Sequence, residues 1–341
     1  LGNYLFLLPD LSFYCSQKNT SYLMFELYKK RDLSANFSDT TTFFKSFGKH
    51  YFKNYLVING IFLMVLVVLI YFISKVYMEL LFSGISNAQN NPNYLMAYFN
   101  NNISLIIGSF AITFLLIVIL SMLNISFPVI YLKLFEKNNS DNFETQEIIN
   151  GLKANIGKMI VFFLGSLFII LPLAIIIFGL LFLLCFILIG IPLIIIVGSA
   201  FMSWITLSYY EYILKDIGYF TALANGFRLV KQQFWTIVGT TFLMMMLTQI
   251  IQGFITMIPY VLSLIWMFVS TKNLQETGSQ TDTFSTMGIL LAVIMVFSVL
   301  LSYIFNNFIL VNQGLIYYGL QEEKENNSTK SQIDLIGTDI E

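Results

Sequence analysis

Between Met159 and Leu207 the chain carries no charged side chain. As one helix this tract would run about 70 Å at 1.5 Å per residue, more than twice the hydrocarbon core of a bilayer. It must therefore enter a membrane, turn and leave again. Gly179, Gly190 and Pro192 are the breakers it offers. Pro192 suits the first turn of the returning helix, where a missing N–H costs nothing.

The rest of the chain agrees with that demand. Hydrophobic residues make up 57% and charged residues 11%. A soluble domain carries about a quarter of its residues as charges, so lipid contact must replace the missing polar surface. The apolar runs are continuous, whereas a membrane barrel needs alternation. The expected fold is an all-α polytopic transmembrane bundle in one domain, 24–320. Its six spans are placed at about 55–74, 103–131, 157–178, 191–213, 235–258 and 287–318. Pro259 is taken to stop the fifth span. The apolar stretch from Tyr260 to Ser270 is too short to cross and is assigned to the interface.

Basic residues orient the bundle. From Met24 onward, one set of connecting segments holds Lys29, Lys30, Arg31, Lys45, Lys49, Lys53, Lys133, Lys137, Lys153, Lys158, Lys215, Arg228, Lys231, Lys324 and Lys330. The other set holds Lys75 and Lys272. The positive-inside rule then places both termini in the cytoplasm of a bacterium, with the chain in the inner membrane. Residues 1–23 lack a basic start and a long apolar core, so they are read as a mis-assigned or extra N-terminal extension ahead of a start at Met24. Residues 321–341 are polar and acidic and are expected to be a disordered cytoplasmic tail.

A short motif recurs. Asn150-Gly151-Leu152-Lys153 precedes the third span, and Asn225-Gly226-Phe227-Arg228 precedes the fifth. Thr42-Phe43-Phe44-Lys45 stands before the first, a weaker match. The implied plan is three copies of amphipathic helix, span, span. In the first copy Phe37, Phe44, Phe47 and Tyr51 share a helical face, and Lys45, Lys49 and Lys53 share another. In the third, Phe220, Leu223, Phe227, Val230 and Phe234 align. Such helices either lie among headgroups, rings in the acyl boundary and lysines toward anionic lipid, or pack beneath the bundle. Lys45, Lys49, Lys53, Arg228 and Lys231 are the candidate lipid contacts.

Chemistry is sparse. There is no zinc-protease, nucleophile-elbow, phosphate-loop or dinucleotide motif. Two cysteines and one histidine build no metal site, and no cofactor or nucleic-acid partner is implied. His50 sits among lysines and reads as an interfacial charge. Glu211, in Tyr209-Tyr210-Glu211-Tyr212, has two readings: a proton or cation site, or a carboxylate in an aromatic belt at the membrane surface. Uncharged polar residues form stripes on the last two spans. Gln249, Gln252, Ser302, Asn306 and Gln313 are either interhelical hydrogen-bonding groups or the lining of a polar path between the fifth and sixth spans.

Four stretches carry a resemblance: Phe25-Glu26-Leu27-Tyr28-Lys29-Lys30-Arg31-Asp32; Ser208-Tyr209-Tyr210-Glu211-Tyr212; Phe227-Arg228-Leu229-Val230-Lys231-Gln232-Gln233-Phe234-Trp235; and Val311-Asn312-Gln313-Gly314-Leu315-Ile316-Tyr317-Tyr318. They resemble a group of uncharacterised six-helix membrane proteins of Bacteroidota. The plan of amphipathic helix followed by hairpin is more distantly similar to the membrane domain of some glycerophosphodiester phosphodiesterases, whose catalytic residues have no counterpart here. The resemblance implies a fold and a membrane, not an activity. The expected function is a non-enzymatic protein that organises lipids or binds partner proteins at the cytoplasmic leaflet. The alternative is a transporter or lipid-translocating protein.

Overall fold

The computed structural model describes residues 25–88, 94–277 and 280–325, and these are almost wholly helical, with no strand among them. In chain order the helices are α1 (Leu33–Ala88), α2 (Tyr94–Asn138), α3 (Thr145–Ala154), α4 (Ile156–Gly165), α5 (Leu171–Cys185), α6 (Gly190–Lys215), α7 (Tyr219–Gln232), α8 (Phe234–Thr277) and α9 (Gln280–Glu325). A π turn, Ser166–Ile170, joins α4 to α5 into one crossing. Six helical segments are long and apolar enough to span a bilayer. The chain is a multi-pass integral membrane protein.

Around the bundle α1 lies between α2 and α9, α8 lies between α9 and α6, and α6 carries α5 and α7. The short helices α3 and α7 cross at the end where the lysines gather, called the charged end below. Each crosses at the glycine of the recurring motif. A Cβ on Gly151 would come within 2.6 Å of Ile130 Cγ2, and one on Gly226 within 2.7 Å of the Ser208 backbone nitrogen. Both glycines are the points where a short helix presses on the span before it. For the first copy no preceding span is among the described residues. There Phe43 stands where Gly226 stands in the third copy, fully buried in the core.

Several boundaries differ from expectation. The segment before the first span and the span itself form one continuous helix, because no proline interrupts Leu33–Ala88. The helix of the fifth span runs on through Pro259 to Thr277, so Tyr260–Ser270 continues it instead of lying apart. Pro128 is likewise inside α2. Membrane helices tolerate proline because neighbours and local adjustment re-satisfy the freed backbone groups. The turn between the third and fourth crossings falls at 186–189, beyond Gly179, with Leu188 at φ 62°. The left-handed region costs a leucine roughly 1–2 kcal/mol. Residues 321–325 are helical, with Gln321 and Glu322 buried, so the polar tail begins later than expected. Residues 1–24 and 326–341, including the expected extension and the rest of the tail, lie outside the described residues.

Candidate functional site at the charged end

The four stretches that carried the resemblance converge here. The segment 25–32 lies against α9, held by Arg31, whose side chain is 1% exposed. Its guanidinium donates to the carbonyls of Glu26 (2.5 Å), Leu27 (2.7 Å), Lys29 (3.2 Å) and Leu315 (3.3 Å), and to Asp39 (2.8 Å). Burial pulls this guanidinium below its ordinary pKa, against the pull of Asp39. Such a group stays in place because all three of its nitrogens find acceptors.

Two carboxylates are treated in the same way. Glu136 of α2 accepts from Tyr28 (2.5 Å) and Tyr318 (3.0 Å). Glu211 of α6 is 2% exposed and is met by Lys215 (3.0 Å), Asn225 (3.1 Å) and Gln321 (3.1 Å). Glu211 is therefore neither an exposed belt carboxylate nor an unsatisfied one. It fastens α6 to α7 and to the end of α9. The asparagine of the recurring motif thus has a task in the third copy: Gly226 lets α7 approach and Asn225 reaches the carboxylate. His50 is also structural. Its ring meets Tyr131 OH (2.8 Å), the Phe143 carbonyl (3.1 Å) and Asn54 (3.1 Å), tying the link before α3 to α1.

Aromatic rings fill the space between. Phe43, Phe47, Tyr51, Phe127, Tyr131 and Phe135 form a continuous set of edge and tilted contacts. Each such pair contributes about 0.5–1.5 kcal/mol beyond area burial. The face of α1 that bears Phe47 and Tyr51 therefore packs inward, and Phe44 lies against Phe308. For this helix the packing alternative describes the rings.

The outward faces carry the predicted basic residues. Lys45, Lys49, Lys53, Arg228 and Lys231 are all exposed. On α7 the apolar arc is wider than the bundle covers. Ala222, Leu223, Gly226, Leu229 and Val230 are buried, but Phe220 is 70% and Phe227 58% exposed. Trp235, at the start of α8, is 72% exposed. Beside them, a cleft of about 480 Å³ is lined by Lys30, Asp32, Asn36, Gln233 and Glu323 among others.

The five residues of the expected polar path do not line one path. Gln249 is exposed on α8. Gln252 donates to the Ser298 carbonyl (3.2 Å). Gln313 is buried and donates to Thr241 (2.7 Å), which in turn meets Ser203 (2.7 Å). Ser302 and Asn306 lie together, but in a pocket shared with α2. The helical period placed these residues on their own helices correctly. It carried no information on which neighbour each would face. Arg31, Glu136 and the buried tyrosines were not singled out as site residues, since nothing in a linear pattern distinguishes a buried arginine from its exposed neighbours.

Comparison with known protein families, with known proteins and with solved structures returns no match.

Proposed function

We propose that this protein is a non-enzymatic organiser of the cytoplasmic leaflet of a bacterial inner membrane, engaging anionic lipid or a partner protein through its charged end. The observation that carries the proposal is the pairing of outward lysines and arginine with outward aromatics at one end of the bundle. Phe220, Phe227 and Trp235 are exposed beside Arg228 and Lys231, while Lys45, Lys49 and Lys53 line the outer side of α1. Aromatic rings favour the headgroup level, and each lysine near an anionic surface contributes about 1 kcal/mol. The distribution of Lys and Arg supports a cytoplasmic charged end and cytoplasmic termini. The half-buried Glu136 and the buried Glu211 are occupied by structural partners, which supports leaving catalysis out of the reading. The resemblance stands beside this as a proposal of kinship: three of its stretches contribute Arg31, Glu211 and Tyr318 to the buried framework, and the remaining one carries exposed Phe227, Arg228, Lys231 and Trp235.

Lipid retention tests it. The purified protein in nanodiscs mixing phosphatidylglycerol with phosphatidylcholine is expected to enrich phosphatidylglycerol in its bound shell. Changing Lys45, Lys49, Lys53, Arg228 and Lys231 to glutamine is expected to abolish the enrichment without lowering the unfolding midpoint. Equal shells for wild type and variant would overturn the proposal.

A further inference from the structure

Where α1 passes from its lysine-bearing part into the bilayer, a polar cup opens between α2 and α9. It has a volume of about 240 Å³ and is lined by Ser121, Asn124, Ile125, Ser302, Tyr303 and Asn306. Its floor is closed by a buried network. Tyr55 OH donates to Asn124 Oδ1 (2.8 Å), Asn307 Nδ2 approaches the same oxygen (3.4 Å), and Tyr51 OH donates to Asn307 Oδ1 (2.8 Å). Asn124 is 4% exposed, and with its oxygen taken twice its amide nitrogen is left to donate into the cup. Ser302 and Asn306 make no side-chain hydrogen bond to another described residue. In hydrocarbon an unsatisfied amide costs several kcal/mol. These groups are placed for a ligand that both donates and accepts hydrogen bonds.

The lining says which kind. No Lys, Arg, Asp or Glu borders the cup, so nothing there would neutralise a phosphate or an ammonium group. Tyr55, which holds Asn124, lies two residues beyond exposed Lys53, about 3 Å along the helix axis. The cup thus begins just below the headgroup level, at the depth of glycerol esters. One heptad further along the same helical faces stand Phe114 and Ile117 on α2 and Met295 on α9, all exposed and apolar. They offer a bed for a chain rising from the cup. A water takes about 30 Å³ of liquid volume, so the cup has room for several non-hydrogen atoms.

We propose that this cup binds the neutral headgroup of a glycerolipid with a free hydroxyl beside ester carbonyls, diacylglycerol being the simplest. Ester oxygens accept from Asn124 and Asn306, the hydroxyl bonds Ser302 or the Asn306 oxygen, and an acyl chain follows Phe114 and Met295. The site is independent of the basic outer face. Its test uses diacylglycerol carrying a diazirine on one acyl chain, in phosphatidylcholine nanodiscs. Photolabelling is expected between 110 and 125 and between 291 and 306. Asn306→Leu, which keeps the branching but removes the polar atoms, is expected to cut labelling about tenfold, and Gln249→Leu on α8 to leave it unchanged. Unfolding midpoints show that both variants are folded. A second variant, Ser302→Val, is expected to act as Asn306→Leu does. Equal labelling of wild type and Asn306→Leu, or labelling as strong from phosphatidylglycerol with the same diazirine, would overturn the proposal. So would a cup that holds water alone and takes no label.

Discussion

The two parts of α2 live in different surroundings. From Ser126 to Leu132 every residue is buried, on all sides of the helix. From Ile103 to Ile117 most side chains are exposed, including Leu105 at 75%, Ile107 at 62%, Phe110 at 61% and Phe114 at 60%. α5 repeats the second pattern: along its length, only Leu181 is buried. The difference follows from what joins helices in lipid. Apolar side chains gain little by leaving lipid tails for one another, so association rests on close packing and hydrogen bonds. The charged end has both, in its glycine crossings, its tyrosines and its paired Arg31, Glu136 and Glu211. Among the described residues the far parts of the spans have little of either, Ser74 against Met295 being one such contact, and lipid serves the rest as well as protein does.

That contrast orders the consequences of mutation. Arg31→Ala is expected to be the most damaging single change. It strips a buried donor set from four carbonyls and Asp39, a loss of about 3–5 kcal/mol. Thermal unfolding in detergent should show a large fall in midpoint; an unchanged midpoint would mean that segment 25–32 is not held to the bundle. Gly226→Val should come next, at about 1–3 kcal/mol, because the new side chain meets the backbone of Ser208. Phe114→Ala, in the open part of α2, is expected to stay within about 0.5 kcal/mol. A loss of several times that size would show that the far parts pack on something. The smallest effect should come from Asp216→Asn. Asp216 pairs with Lys158, whose hydrogen bond and charge hold its carboxyl below the usual range, but it is largely exposed. Its φ of 54° suits asparagine equally well. No resolvable midpoint shift is expected.

The division into open and closed parts was only half visible beforehand. Spans are legible because lipid imposes a length and a polarity on each, and six helical segments are long and apolar enough to be such spans. The recurring Asn-Gly pair was visible too, but its meaning needed the partner span: Gly151 and Gly226 matter through Ile130 and Ser208, 21 and 18 residues earlier. Boundaries at Pro259 and Gln321 were misplaced, since local rules for soluble chains treat proline and polar runs as stops. The buried polar core was the least legible. Arg31 follows two lysines, and only the fold shows that it turns inward while Lys29 and Lys30 stay in water. The stripes on the last two spans left their partners open for the same reason: one helix's period does not name the neighbour that each face meets.

The orientation proposed for the charged end adds a consequence. A cysteine at Asn139, beside the end of α2, is expected to resist membrane-impermeant maleimide in intact spheroplasts and to react after lysis. Reaction before lysis would invert the protein and remove the anionic leaflet from its basic face.

The contrast within α2 is open to a direct measurement: oxygen accessibility of single spin labels along 103–117 and 126–132 in phosphatidylcholine nanodiscs. High accessibility is predicted at most positions of the first window, with 106, 108 and 109 intermediate and Thr113 and Leu116 shielded, and low accessibility throughout the second. A first window that alternates with a helical period, half its positions shielded as strongly as Phe127 or Ile130, would contradict the open far end on which the account rests.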